Sequence, residues 1–212
     1  MSTVDETRAL AVDFVDAIAI IRINQLQRRN SLSIAILTQL NSIFSEITVG
    51  TGVSAIVFTG TGDTFASGAD IRELAALNPQ SARSFAELGQ RLFQRIANAR
   101  QLTVAAINGY CMGGGLDLAL ACDVRVASHN AAFSHPGAQL GIITGWGGTQ
   151  RLPRLIGRAR ALELFMTARR FNAQEALEMS LVTYIADPVL DCALGLARNM
   201  KKEIADCPAI SS

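Results

Sequence analysis

Short, wholly apolar runs alternate along this chain with segments of helical period, and that alternation leaves few folds open. Ala55–Phe58 and Thr103–Ile107 contain no charged residue, and Val124–Ala127 has only Arg125. A strand without polar alternation must be covered on both faces, and the intervening helices are the natural cover. Strands and helices in turn mean βαβ units and a largely parallel sheet. The reading is α/β.

Residues 9–24, ALAVDFVDAIAIIRIN, read as a two-stranded hairpin broken near Asp16, and Gln25–Asn30 as a loop. Ser33 is placed to cap a helix over 34–48, where Ile36, Leu37, Leu40, Ile43, Phe44 and Ile47 recur at helical spacing. Asp70 with Glu73 predicts a capping-box start for a short helix through Leu77. Pro79 opens a longer helix lined by Phe85, Leu88, Leu92, Phe93 and Ile96. A helix is expected from about Gly114 to Ala121, and a mostly helical pattern from 147, with one short strand at Leu181–Ile185. No internal repeat or linker is visible, and 212 residues suffice for one sizeable core, so a single domain over 1–212 is expected.

Nineteen Lys and Arg against eighteen Asp and Glu give a net charge of +1. That balance removes the electrostatic case for nucleic acid or an anionic membrane as partner, but a small anionic ligand needs only a few local donors. Cys111, Cys122, Cys192 and Cys207 form no CxxC pair, and there are two histidines, so no metal site is expected. Reduced thiols in a cytoplasmic protein are the simpler reading. The start MSTVDETRAL lacks the apolar core of a signal peptide. Leu102–Cys122 has one charge in 21 residues, yet its four glycines, Asn108 and Asp117 suit a buried turn better than a membrane span.

Fifteen of the 17 glycines lie between positions 50 and 148. They gather in two strand-to-helix junctions, TGTGDTFASGAD (59–70) and NGYCMGGGLD (108–117), and in the loop PGAQLGIITGWGG (136–148). A glycine-rich turn opening a helix aims free N–H groups at one point, and two such turns can converge on a carbonyl oxygen as an oxyanion hole. The plainer alternative is tight turns alone. Neither junction matches a phosphate-cradling P-loop or a dinucleotide fingerprint.

The segments NQLQRRNSLS (24–33), FASGADIREL (65–74), NGYCMGGGLDLALACDVRVAS (108–128) and LGIITGWGGTQRLPRLIG (140–157) together resemble the crotonase superfamily of enoyl-CoA hydratases and isomerases. The resemblance is collinear from about residue 10 to 205. It implies a spiral of ββα units over about 1–190, with a shortened C-terminal helical region at 188–212. It also implies acyl-CoA substrates, no cofactor beyond the coenzyme A of the substrate, and a homotrimer or dimer of trimers. The thioester oxygen would be held by the backbone N–H groups of Ala69 and Gly114. Ala66, Ser67, Gly68, Asp70 and Ile71 would line the adenine pocket, and Arg28 or Arg29 would face the CoA phosphates. For Asp70 the competing role is a helix cap.

The acids depart from the family pattern. Its hydratases carry a Glu three residues after the second oxyanion glycine and another in a Q-P-E segment. Here those positions are Asp117 and Gly137. Asp117 is thus the remaining acid–base group, or else an acid stabilised by the helix dipole without chemistry. A Glu restored at 137 is expected to raise hydration. His135 is a substitute acid or base, or a packing residue. Trp146 walls the acyl pocket or fills the core. Thr144 stands where many relatives have Pro. The six arginines between 151 and 170 read as a solvated or subunit-facing side. Two functions remain: an acyl-CoA enzyme of the hydratase/isomerase type, or an acyl-CoA-binding protein without turnover.

Overall fold

The computed structural model describes residues 8–50 and 52–205, with side chains through residue 199. The chain opens with the antiparallel hairpin β1 (Leu10–Val15) and β2 (Ile18–Ile23), turned by Asp16 at φ 56°. The run expected as loop tightens into a 3-10 turn at Leu26–Arg28. Asn30 staples it: its Oδ1 accepts from Gln25 N–H at 2.8 Å, and its Nδ2 donates to the carbonyls of Thr61 and Thr64. Then come β3 (Ser31–Leu32) and α1 (Ile34–Val49), where Ser33 Oγ accepts from Ile36 N–H at 3.2 Å as expected of the cap.

From here the chain repeats one theme. β4 (Ala55–Gly60) turns into β5 (Thr64–Ala66), followed by β6 (Gly68–Ala69), α2 (Ile71–Ala75) and α3 (Pro79–Ala97). β7 (Leu102–Ile107) turns into β8 (Tyr110–Met112) and α4 (Gly114–Ala121). β9 (Val124–Ala127) turns into β10 (Ala132–Ser134), a 3-10 turn at Pro136–Leu140, α5 (Gly148–Ile156) and α6 (Arg158–Thr167). β11 (Phe171–Asn172), α7 (Ala173–Glu178), β12 (Tyr184–Ile185) and α8 (Val189–Ala205) complete the fold. First strands stack in the order β1-β2-β4-β7-β9-β12, parallel beyond the hairpin. Second strands form another sheet, β11-β10-β8-β5, and β3 pairs with β6. This is the spiral of ββα units that the resemblance implies. The repeat lies in the structure and not in any visible similarity of sequence.

The apolar runs are explained by cover on both faces. Ala19, Ile21, Ile56, Phe58, Ala105 and Ile107 meet Ile36, Leu37, Phe44, Leu92, Phe93 and Leu116 of the helices in one core. The alternate residues Ile18, Ile20, Val57, Val104 and Val126 meet Val189, Ala193 and Ala197 of α8 on the other face. Cys111, Cys122 and Cys192 are free thiols, while Cys207 lies outside the described residues. Among the described residues no helix is long and apolar enough to cross a membrane.

Three local readings are corrected. Asp70 Oδ1 caps α2 through Arg72 N–H at 2.9 Å, but Glu73 turns away to accept from Ile34 N–H at 2.8 Å, so no capping box forms. Its bond ties α2 to the first turn of α1. α2 also stops at Ala75, short of Leu77. The strand expected at Leu181–Ile185 shrinks to Tyr184–Ile185, because the N–H groups of Leu181 and Val182 bond back to the Ala176 carbonyl.

The turn from β7 into β8 passes so close to the preceding repeat that a Cβ at Gly109 would overlap the Asp63 carbonyl. Backbone cannot yield as a side chain does, so Gly109→Ala is expected at the upper end of the ~1–3 kcal/mol range for overpacking. Its urea midpoint should drop accordingly; an unchanged midpoint would contradict this close approach.

Candidate active site

The two glycine-rich junctions meet. Gly68 has φ +93°, and a Cβ there would lie 2.8 Å from the Met112 carbonyl oxygen and 3.0 Å from Gly114 N. β6, which carries Ala69, therefore presses on the N-terminus of α4. Gly114 is the first residue of α4, so its N–H stands outside the helix's own hydrogen-bond ladder. Gly115 tolerates no Cβ either, because the Ala66 carbonyl occupies that space.

Asp117 sits one turn along α4, fully buried. Its Oδ2 accepts from the Thr144 hydroxyl and from Trp146 N–H, the latter at 3.3 Å. Its Oδ1 has no hydrogen-bond partner among the described residues and lies 3.7 Å from His135 Nε2. Gly148 makes room for this oxygen, since a Cβ at 148 would overlap it. Burial pushes the carboxyl pKa from 3.8 up to about 6, with Thr144, Trp146 N–H and the Arg151 cation pulling the other way. His135 is buried beside Phe165, with neither ring nitrogen hydrogen-bonded among the described residues. Burial lowers its pKa from 6.5 to about 4.

Trp146 fills the core. Its ring packs over Gly89 and Gly114 and meets Phe85 and Phe93 edge-on, at 5.1 and 5.6 Å between centroids. It forms the wall behind Gly114. Gly137 lies in the 3-10 turn after His135, and a Cβ there would stand 2.5 Å from the Ile142 carbonyl oxygen. A Glu at 137 therefore requires that backbone to move, so the close geometry on which restored hydration depends is not met without a shift of the turn.

The segments expected to contact CoA adjoin. Ser67 N–H donates to the Arg29 carbonyl at 3.2 Å, and Ser31 and Leu32 pair with Gly68 and Ala69. Within 66–71, Ala66 is fully buried, Ser67 and Asp70 are half-buried, and Ile71 is 61% exposed. The Asp70 side chain is occupied as a cap. Arg28 is exposed and lines a groove of about 940 Å³ with Arg22, Gln25, Asn108 and Asp187. Ala69, Gly114 and Asp117 do not line that groove.

Sequence reasoning misses one member of the site and misreads two others. Gly148 and Arg151 act on Asp117 from a helix distant in sequence, and Thr144 was noted only as a departure from Pro. Arg151 was grouped with solvated arginines, yet its Nη1 donates to the Trp146 carbonyl at 3.0 Å and its charge faces the Asp117 carboxylate. The one available signal was the Gly147–Gly148 pair opening a helix.

Residues 13–210 match the model of the family described as enoyl-CoA hydratase/isomerase. The chain belongs to the enoyl-CoA hydratase/isomerase family. It is 38% identical over 190 residues to a short-chain-enoyl-CoA hydratase of Clostridium acetobutylicum, covering 89% of this chain and 70% of that protein. It is 38% identical over 174 residues to a crotonyl-CoA hydratase of Syntrophomonas wolfei, covering 82% of this chain and 67% of that one. The crystal structure of an enoyl-CoA hydratase from Bacillus anthracis superposes with a TM-score of 0.88 at 36% identity, over 92% of this chain and 77% of that one. Family membership and fold thus agree, and both place the chain among the hydratase/isomerase-type enzymes of the crotonase superfamily.

Proposed function

We propose that this family member acts on enoyl-CoA thioesters by stabilising an enolate. The observation that supports it best is the close approach of the Gly68 turn to the N-terminus of α4, where a Cβ on Gly68 would lie 3.0 Å from Gly114 N, with a buried carboxylate one turn along the same helix. The N–H groups of Ala69 and Gly114 would hold the thioester oxygen, each donor lowering the barrier by roughly 3 kcal/mol. Asp117, ionised at neutral pH with its pKa about 6, would take a proton from C2. Returning that proton to C4 isomerises the double bond; returning it to C2 restores the substrate. Coenzyme A is part of the substrate, so these steps use no separate cofactor. Residues 66–71 and Arg28 would hold its adenine and phosphates.

A second reading is acyl-CoA binding without turnover. It is favoured by the enclosure of Asp117, whose Oδ2 is occupied and whose Oδ1 is sealed from solvent. Incubating the protein with butyryl-CoA in D₂O, with CoA affinity measured beside it, separates the two readings. Exchange at C2 supports the enzyme; binding without exchange supports the alternative.

A homotrimer in the cytoplasm suits this reading. Leu140, Ile142, Ile143, Leu162 and Met166 are exposed apolar side chains that a partner subunit would cover. Light scattering at micromolar concentration is expected to give a trimer or hexamer mass, and a monomer would count against it.

A further inference from the structure

Two buried polar atoms face each other, Asp117 Oδ1 and His135 Nε2, and neither they nor His135 Nδ1 on the other side of the ring is hydrogen-bonded among the described residues. An unsatisfied buried group costs about 1–3 kcal/mol, so several of them together mark a place prepared for something else. Oδ1 and Nε2 are 3.7 Å apart, too far for a direct hydrogen bond. One water molecule can reach both at ordinary hydrogen-bond length. Of the other ionisable groups around Asp117, Arg151 is committed to the Trp146 carbonyl, and the Cys111 thiol is held protonated by burial. His135 alone offers free ring nitrogens.

We propose that His135 is a catalytic residue of this site: with Asp117 Oδ1 it holds the water that adds to the enoyl double bond. This rests on the reading of Asp117 as the acid–base group. The neutral imidazole accepts one O–H of the water through Nε2, and Asp117 Oδ1 accepts the other, which leaves the oxygen lone pairs free. As the water oxygen bonds to C3, its proton passes to Asp117 and the C2–C3 π electrons move onto the thioester oxygen. The enolate then takes that proton at C2, the carbonyl reforms, and Asp117 is again a carboxylate. Proton exchange at C2 of a saturated thioester uses Asp117 and the oxyanion donors but no held water. Hydration needs all of them. Gly137 has no side chain to share the task.

The test compares hydration of crotonyl-CoA with C2 exchange of butyryl-CoA in D₂O, and with CoA affinity. His135→Phe should lower hydration by about 10² or more, within the usual range for such groups, and leave exchange and affinity within about threefold. His135→Gln, which keeps an acceptor near Nε2, should recover about tenfold of the loss. Hydration and exchange falling together in both variants would mean a packing role and overturn the proposal. So would hydration unchanged in His135→Phe, or a wild-type protein that exchanges C2 but does not hydrate. Exchange absent from the wild type would overturn instead the reading of Asp117 on which the proposal rests.

Discussion

Asp117→Asn is expected to abolish turnover while making the protein more stable at pH 7. Burial lifts the folded-state pKa of this carboxyl from 3.8 to about 6. For an acid, a raised folded pKa means that the folded state binds the proton more tightly than the unfolded state. The ionised form is therefore penalised: stability falls as pH rises from about 4 to about 6 and stays low above that. A difference of about two pH units at ~1.4 kcal/mol each is roughly 3 kcal/mol. Asn carries no charge and its oxygen can still accept from Thr144 and Trp146. His135 works in the opposite sense. Its folded pKa of about 4, below 6.5, costs stability as pH falls from 6.5 to 4. In the wild type the two slopes largely offset across that window. In Asp117→Asn only the His135 slope remains, so the advantage measured by urea unfolding at pH 7 should be lost by pH 4. C2 exchange should drop by about 10² to 10⁴ or more. Were the carboxylate's charge stabilised by Thr144, Trp146 N–H and Arg151 more than burial penalises it, the variant would be destabilised at pH 7. A carboxylate that weakens the fold is what a site maintained for chemistry looks like.

Gly68→Ala should damage catalysis more than binding. At φ +93° a side chain is strained, and its Cβ would press on the Met112 carbonyl and on Gly114 N. Relief comes by moving β6 off α4, which separates the N–H groups of Ala69 and Gly114. Loss of one oxyanion donor costs about 10² to 10³ in kcat, and the overpacking adds roughly 1–3 kcal/mol of instability. CoA affinity should change less than kcat. A folded Gly68→Ala protein with wild-type kcat would show that the two junctions do not share one oxyanion.

The long strands were legible because each is covered on both faces. Ile18 and Ile20 meet α8 while Ala19 and Ile21 meet the opposite core, so no polar face interrupts the run. The second layer was not legible. β8 and β10 have three residues each, below the length at which period can be read. That hid the repeat, as did the unequal elements after each second strand: 19 residues in α3, eight in α4, and a 3-10 turn after β10. The helix starts at Ser33 and Gly114 were legible from local chemistry. Glu73 was misread for the same reason, since its partner, Ile34 N–H, lies 39 residues away. The site divides likewise. Gly68, Ala69, Gly114 and Asp117 lie in two short motifs, whereas Thr144 and Arg151 meet Asp117 only through the fold.

The pH dependence of C2 exchange tests the central claim most directly. Butyryl-CoA is incubated with the wild-type protein in D₂O at a series of pH values, and deuterium at C2 is read by mass spectrometry. Exchange should need ionised Asp117, so the rate should be flat at neutral pH and fall about tenfold per unit below a midpoint near 6. Asp117→Asn should show no such limb and almost no exchange. Tight CoA binding with no exchange at any pH would contradict the account.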